Sequence, residues 1–226
     1  MWSPDGKRIV FASNRNGPLD LYQKLANGTG PEELLLQSAE RKVPTDWSSD
    51  GEFILYENED PKTKFDLWIL RLPDRRPIPF LQTEWNEREG QFFPGVQGRP
   101  SWVDHTSDET GRNEIYVTSF PIGGGKWLIS TWGGSHPRWR RDGKELFYVT
   151  PENELVAVEV RTATSAGRMA LTIGRSRRLF ATHFPEGYHP YVVSADGERF
   201  LISTAADGAT SSSIFAVVHW TADLKR

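Results

Sequence analysis

Short runs of apolar and β-branched residues, each bounded by a polar turn, recur along the whole chain. RIVFAS is followed by LDLYQKL, FILYEN by FDLWILRL, ELFYVT by ELVAVEV, and RFLIST by SIFAVVHW. Paired runs of this length, separated by segments rich in Gly, Asn and Asp, are typical of antiparallel strands joined by hairpins. Helical periodicity is essentially absent. The pattern therefore predicts an all-β fold.

One turn sequence returns at regular intervals. WSPDGKRIVFAS recurs as WSSDGEFILYEN, WRRDGKELFYVT and VSADGERFLIST, and successive turn aspartates lie 45, 92 and 54 positions apart, at Asp5, Asp50, Asp142 and Asp196. The middle gap is about twice the first, so we expect a degenerate copy at FFPGVQGRPSWVDHTSD. Four short strands in a repeat of about 45 residues are typical of β-propeller blades. We interpret the turn aspartates as turn formers that bind backbone amides.

The repeat predicts a β-propeller of about five blades, each a four-stranded antiparallel sheet, in a single domain. The blades are expected at approximately 1–37, 38–83, 84–131, 132–182 and 183–226. The chain begins at a turn and ends after HWTADLKR, so the first and last blades are expected to be incomplete. An unpaired sheet edge favours pairing with a second copy, and homo-oligomerisation is therefore one expectation.

The W-S-P-D-G turn followed by alternating apolar residues resembles the TolB-like β-propeller repeat, found in periplasmic TolB and in prolyl oligopeptidase propellers. RNGPLDLYQK, TDWSSDGEFILY, DETGRNEIYVTSFP and HPRWRRDGKELFYV are similar to the C-terminal propeller attached to some bacterial serine/threonine kinases. This resemblance implies a bacterial binding module, sensory when attached to a kinase. The compartment stays open, with a parent protein exposed to the periplasm as one expectation. The resemblance is specific for the fold and says little about activity, because propellers host many functions.

Composition narrows the classes of partner. The net charge of -3 argues against nucleic acid, and the absence of cysteine excludes disulfides and thiolate metal sites. No apolar run approaches the roughly 20 residues that span a bilayer, so membrane insertion is not expected. No cofactor and no metal site is predicted.

Candidate binding residues lie just before the repeated turns, on the strands expected to line a propeller channel. A polar small molecule or a protein partner is the ligand expected at the channel mouth. The alternative is that these polar groups only satisfy one another, directly or through water. The candidates are Lys42, Arg88, His136, Arg138, Tyr188 and His189, with Trp85 and Trp132 as aromatic platforms.

An enzymatic alternative uses the carboxylates of the same segments. Glycoside hydrolysis needs two carboxyl groups about 5 to 9.5 Å apart, one protonated and one ionised. Asp46 together with Glu87 or Glu89, from neighbouring blades, is the candidate catalytic pair. The sequence thus leaves two hypotheses, a binding module and a small glycoside hydrolase.

Overall fold

The computed structural model describes residues 1–94, 100–165, 168–181, 191–205 and 212–218. The chain divides into two compact units, Met1–Leu128 and Ile129–Arg226. Regular structure in the described ranges consists of β-strands in five antiparallel sheets, which confirms the predicted all-β class. The described part of the chain has no helix long and apolar enough to cross a membrane. The single domain stays a prediction.

The first unit contains three sheets, each built from strands that follow one another in the chain. The first sheet is β1 (Arg8–Ser13), β2 (Asp20–Leu25) and β3 (Glu33–Leu36). The second is β4 (Arg41–Trp47), β5 (Phe53–Asp60), β6 (Lys64–Arg71) and β7 (Arg76–Leu81). The third is β8 (Glu87–Phe92), β9 (Trp102–Ser107), β10 (Glu114–Ser119) and β11 (Lys126–Leu128).

The second unit contains two sheets in the described ranges. The fourth sheet of the chain is β12 (Ser135–Trp139), β13 (Glu145–Val149), β14 (Glu154–Ser165) and β15 (Arg168–Ala181). The fifth is β16 (Tyr191–Val193), β17 (Arg199–Ala205) and β18 (Ser212–Val218). Phe147 of the fourth sheet and Phe200 of the fifth meet edge to face, with ring centroids 5.2 Å apart.

The Asp-Gly turns are held by hydrogen bonds between a carboxylate and the backbone. Asp50 Oδ1 accepts the Glu52 N–H at 3.1 Å and the Ser48 hydroxyl at 2.6 Å, while Ser48 Oγ accepts the Phe53 N–H at 2.9 Å. Gly51 has a φ of 77°, which costs glycine no steric strain. Equivalent carboxylate bonds to the backbone occur at Asp5, Asp142 and Asp196.

The second sheet buries both of its faces, because successive side chains of a strand point to opposite sides. On β5, Ile54 and Tyr56 pack in a core with Val10 of the first sheet. Leu55, between them, packs in another core with Phe92 of the third sheet. Full burial of each such side chain is worth about 1.5 to 3 kcal/mol. Neighbouring sheets of the first unit therefore pack face to face, as propeller blades do.

The first and last sheets each contain three strands in the described ranges. At the innermost position of the first sheet there is only an isolated bridge between Trp2 and Ile9, and the Val10 N–H donates to the Met1 carbonyl at 2.8 Å. The expectation of incomplete first and last sheets is met in this part of the chain.

Candidate functional site

The innermost strands carry seven of the predicted site residues, Lys42, Asp46, Glu87, Arg88, Glu89, His136 and Arg138. Three of these strands contain a β-bulge. The bulges appear as register shifts between Pro44 and Asp46, between Arg88 and Gln91, and between Ser135 and Arg138. Two bulges hold a non-glycine residue at positive φ, Glu89 at 59° and His136 at 56°. Bulges re-aim side chains, and strained backbone of this kind clusters at functional sites. The innermost strands are therefore the place to look for a site.

The bulge in β8 breaks the ladder with β9, and three carboxylates accept the backbone N–H groups that the ladder leaves unpaired. The acceptors are Glu57 Oε1 for Glu89 at 2.8 Å, Asp104 Oδ1 for Gln91 at 2.9 Å, and Asp46 Oδ2 for Phe92 at 2.7 Å. Glu57 and Asp46 belong to the second sheet. The bulge is therefore bonded both to its own sheet and to the neighbouring one.

Gly90, inside this bulge, lies where the second and third sheets approach each other closely. A Cβ at this position would lie 2.7 Å from Leu55 Cδ2 and 2.9 Å from Leu67 Cδ1. Both leucines are fully buried. A larger residue here would have to displace these leucine side chains from their packed positions.

The two half-buried carboxylates of the candidate catalytic pair have structural contacts in this bulge. Asp46 holds the Phe92 N–H through Oδ2, and Glu89 accepts the Thr106 hydroxyl through Oε2 at 2.7 Å. The structure thus brings Asp46 and Glu89 to the same strand junction. Asp46 accepts a backbone hydrogen bond there, and Glu89 accepts a side-chain hydrogen bond.

Lys42 lies in the interior, between the first and second sheets. Its side chain is 1 % exposed, and Nζ lies 3.0 Å from Asp20 Oδ1 and donates to the Glu40 carbonyl at 2.6 Å. A buried ammonium with two acceptors cannot present itself to a ligand without unfolding its surroundings. We therefore leave Lys42 out of the proposed site.

Glu87, at the start of β8, is also buried, with 1 % of its surface exposed. Oε1 accepts the Thr83 hydroxyl at 2.6 Å, and Oε2 has no hydrogen-bond partner. Burial raises the pKa of Glu87 from 4.5 to about 7; the charge of Asp66 adds to this rise, and the Thr83 bond opposes it.

This pKa predicts a pH dependence of stability that belongs to Glu87. The pKa of Glu87 is higher in the folded protein than in the unfolded chain. Protonation of Glu87 therefore stabilises the fold fully below pH 4.5, and this stabilisation is lost as the pH rises through about 7. We expect wild-type protein, measured with a chelator present, to lose stability relative to Glu87→Gln over this interval. Melting temperatures (Tm) of both proteins across the interval test this. Exposed Glu198→Gln should keep the wild-type profile, and identical profiles for wild type and Glu87→Gln would contradict the assignment.

A pocket of about 560 Å³, which we call the rim pocket, opens beside the starts of β4 and β8. It is formed by the segment before β4, the hairpin between β5 and β6, and the residue before β8, all in the first unit. Its lining residues are Ala39, Glu40, Arg41, Glu59, Asp60, Pro61, Lys64, Phe65 and Asn86.

Ionised side chains of both signs line the rim pocket. Arg41 Nη1 lies 3.4 Å from Glu59 Oε2, in a half-exposed ion pair. A hydrogen bond from the Ser38 hydroxyl lowers the pKa of Glu40, and two backbone N–H groups of the following turn lower the pKa of Asp60. Both carboxylates are therefore charged at neutral pH, in addition to the Arg41–Glu59 pair.

Lys64 and Asn86 form another side of the rim pocket. Asn86 donates its backbone N–H and its side-chain amide to the Asp108 carboxylate, at 2.8 and 2.6 Å. Burial alone would raise the pKa of Asp108, but these bonds and the nearby Lys64 charge outweigh it and lower the pKa. Lys64 has a φ of 72°, a strained conformation for a non-glycine residue, in the hairpin beside the pocket.

Phe65 provides the aromatic surface of the rim pocket. The Arg88 guanidinium lies over its ring, 4.1 Å from the centroid, and Arg88 Nη2 is 3.3 Å from Glu57 Oε2. This cation–π contact couples the predicted binding residue Arg88 to the pocket. Trp85, one residue before Asn86, is 37 % exposed in the adjoining loop.

The lining of the rim pocket combines charged groups with an aromatic side chain. None of the lining residues is a serine, threonine, cysteine or histidine. Nucleophilic catalysis can use such groups, and also lysine amines and carboxylates, which this lining does contain. The charged and aromatic side chains of the lining could contact a polar ligand.

The second unit holds the other candidates. His136 is half-buried, and its carbonyl accepts the Tyr191 hydroxyl at 2.9 Å. Arg138 is buried and donates to the Pro137 carbonyl at 2.7 Å. Trp132 is 74 % exposed and borders a separate pocket of about 180 Å³. The remaining candidates, Tyr188 and His189, lie outside the described residues.

Several residues that shape the site were not predicted from the sequence. Glu57 and Asp104 accept the bulge N–H groups, and Asp60, Lys64 and Phe65 line the rim pocket. Glu57 gave one signal, since it is an acidic residue inside the otherwise apolar run FILYEN. The hairpin residues gave none, because they read as an ordinary solvated turn.

The face-to-face sheets, the repeated Asp-Gly turns and the order of the strands define a TolB-like β-propeller fold, as the sequence predicts. The structure of TolB from Acinetobacter baumannii has a TM-score of 0.71 and 16 % identity, with 96 % of this chain and 50 % of that chain covered. A protein from Agrobacterium tumefaciens described as TolB has a TM-score of 0.61 and 17 % identity, with 79 % of this chain and 63 % of that chain covered.

A curated relative comes from Agrobacterium fabrum and is itself uncharacterized. It is 26 % identical over 160 residues, which cover 66 % of this chain and 53 % of that protein. The chain thus spans about half the length of this relative and of the Acinetobacter TolB. No family model matches the sequence. These likenesses establish the fold, and function has to be argued from the site.

Proposed function

We propose that the chain is a binding module that engages a polar small molecule or a charged segment of a protein partner in the rim pocket. The observation that carries this proposal is the convergence of charged side chains of both signs around Phe65, whose ring also contacts the Arg88 guanidinium. A concave site with an apolar surface and a few fixed polar groups is the usual form of a ligand site.

The charges of the pocket favour a ligand that carries a cationic group and an acceptor. Glu40 and Asp60 are ionised carboxylates available to an ammonium or guanidinium group. Lys64 is a donor for a carboxylate or a carbonyl of the same ligand. Because these groups are partly exposed, we expect added salt to weaken binding.

The resemblance of the repeats to kinase-attached propellers supports a role as the interaction tail of a larger bacterial protein. In that setting, binding of a ligand in the rim pocket would be the signal passed to the other domains of the larger protein. The partner and any self-association belong to this proposal as well.

The glycoside hydrolase alternative receives less support from the site. Glu87, the candidate whose raised pKa suits a general acid, is 1 % exposed and out of reach of a sugar. Asp46 and Glu89 are engaged at the β8 bulge. A hydrolase would need an accessible protonated carboxyl opposite an ionised one.

A thermal-shift screen tests the binding proposal. The panel contains amino acids, polyamines, dicarboxylates, sugars and short charged peptides. We expect at least one compound to raise the Tm of the wild-type protein, because a ligand that binds only the folded state stabilises it. The same compound should raise the Tm of Lys64→Gln much less.

Lys7→Gln is the matched control, because the Lys7 side chain is 79 % exposed and lies outside the rim pocket. It should respond to the compound as wild type does. A panel without any stabilising compound, or a shift that persists in full in Lys64→Gln, would overturn the proposal.

A further inference from the structure

Lys42 and Glu87 occupy equivalent positions in the second and third sheets. Lys42 pairs with Asn58 on β5, and Glu87 pairs with Ser107 on β9. Each also lies five residues before the last residue of its strand. The repeat therefore places an ammonium at one sheet junction and a carboxyl at the next.

The residues that face them on the preceding sheet are equivalent too. Asp20 begins β2 opposite Ser13 of β1, and Asp66 lies near the start of β6 opposite Asn58 of β5. Both aspartates are buried, at 1 % and 0 % exposure. Each junction thus presents one buried aspartate toward the innermost strand of the following sheet.

The first junction is electrically balanced. Lys42 Nζ lies 3.0 Å from Asp20 Oδ1, and both side chains are 1 % exposed. A buried charge is tolerated only when it is paired and hydrogen-bonded. The ammonium and Asp20 Oδ1 meet that condition, although Asp20 Oδ2 has no hydrogen-bond partner of its own.

The second junction has no such balance, because a carboxyl stands where the ammonium would be. Asp66 Oδ2 accepts the Thr63 hydroxyl at 2.7 Å and the Gln82 amide at 3.3 Å. Asp66 Oδ1 and Glu87 Oε2 have no hydrogen-bond partner. The Trp68 indole N–H lies close enough to Asp66 to favour its charged form, but outside normal hydrogen-bond geometry. Two buried carboxyl oxygens of this junction therefore have no hydrogen-bond partner.

Charges around the pair do not supply the missing cation. The charge of Asp66 acts directly on Glu87, so the two carboxyls lie within electrostatic range of each other. Lys126 and Glu109 also act on Glu87, in opposite directions, and they form an ion pair with one another. Because Lys126 is engaged with Glu109, it is not a dedicated counter-charge for the carboxyl pair.

We propose that this junction binds a calcium ion between Asp66 and Glu87, at the position equivalent to that of the Lys42 ammonium. Calcium takes about six to eight oxygen ligands in flexible geometry. Oδ1 of Asp66 and Oε2 of Glu87 supply two, and the hydroxyls of Thr63 and Thr83, already hydrogen-bonded to the same carboxyls, are further oxygen donors. Waters complete the shell.

The chemistry of the pair selects among metals. A divalent ion neutralises two carboxylates, which a monovalent ion does not. Magnesium demands strict octahedral geometry and gives up its water reluctantly. Transition metals favour imidazole or thiolate ligands, and this pair supplies only carboxyl oxygens. The described residues contain no group of three or more His, Cys, Asp or Glu able to hold a metal ion, so a calcium ion here would have two carboxylate ligands. A calcium site of modest affinity, completed by hydroxyls and water, fits this donor set.

The proposal is tested by titrating the full chain with calcium and measuring Tm at each concentration. The pH is about 8, above the pKa of Glu87. Calcium at about a hundredfold excess over its Kd should raise the Tm of wild type by about 5 °C or more. Magnesium at the same concentration should have a smaller effect. Glu198→Gln, which removes an exposed carboxylate of the second unit, should respond to calcium as wild type does.

Two variants distinguish the ion from a general charge effect. Glu87→Gln should lose the calcium response. Glu87→Lys should lose it as well and should melt above metal-free wild type, because it restores the ammonium–carboxylate arrangement of the first junction. Wild type without any calcium response, as expected if a buried water or a proton occupies the gap, would overturn the proposal. A full response in Glu87→Lys would also overturn it.

Discussion

Asp20→Ala is expected to lower the free energy of unfolding by about 3 to 5 kcal/mol, because it leaves a buried ammonium without its counter-charge. Lys42 Nζ lies 3.0 Å from Asp20 Oδ1 at 1 % exposure, and the Glu40 carbonyl would be its remaining acceptor. Urea unfolding followed by tryptophan fluorescence measures the loss.

The paired replacement Asp20→Leu with Lys42→Met is the control for this experiment. Replacing a whole buried ion pair by apolar residues of similar volume is often neutral or stabilising. We therefore expect the double variant to recover most of the stability that Asp20→Ala loses. A loss of less than about 1 kcal/mol in Asp20→Ala would show that the pair is not buried in solution.

Phe92→Ala is expected to cost about 3 to 5 kcal/mol, because it opens a cavity between the second and third sheets. Phe92 is 5 % exposed, packs in one core with Leu55 and Val103, and meets Phe120 edge to face with centroids 5.6 Å apart. Urea unfolding of the variant measures the cost.

Phe92→Leu separates the cavity from the backbone contact at the same residue. The Phe92 N–H to Asp46 bond is kept in both variants, so any difference between them reports side-chain volume. The leucine variant should lose clearly less stability than the alanine variant. Equal losses in the two variants would argue that the sheets do not pack on this ring.

The sequence predicts the strands and turns of this fold well, because both depend on residues close together in the chain. The Asp-Gly turns close through bonds between residues two to five positions apart, as at Asp50 and Ser48. The runs FILYEN and FDLWILRL pair as a hairpin over the register Phe53–Asp60 with Lys64–Arg71. Local pattern is sufficient for such elements.

The candidate site is less predictable, because its contacts join distant parts of the chain. Glu57 and Glu89 are 32 positions apart, and Asp46 and Phe92 are 46 apart. Whether an inner-strand side chain is exposed or buried depends on the neighbouring sheet. Lys42, predicted as a ligand residue, pairs instead with Asp20, from 22 positions away.

The rim pocket shows the same limit. Asp60 and Lys64 belong to a hairpin turn whose sequence suggests only solvent exposure, and Asn86 lies in a different loop. Only the packing of the second and third sheets brings them together. The predicted binding residue Arg88 reaches this region through its contact with Phe65.

The central claim is that the rim pocket is a binding site. Isothermal titration calorimetry with the most stabilising compound of the thermal-shift panel tests this claim most directly. Wild type, Lys64→Gln and Lys7→Gln are titrated under identical salt conditions. We expect Lys64→Gln to bind about tenfold more weakly or worse, equivalent to about 1.4 kcal/mol or more, and Lys7→Gln to bind as wild type does. Equal affinity in all three proteins would show that the compound binds elsewhere and would contradict the account.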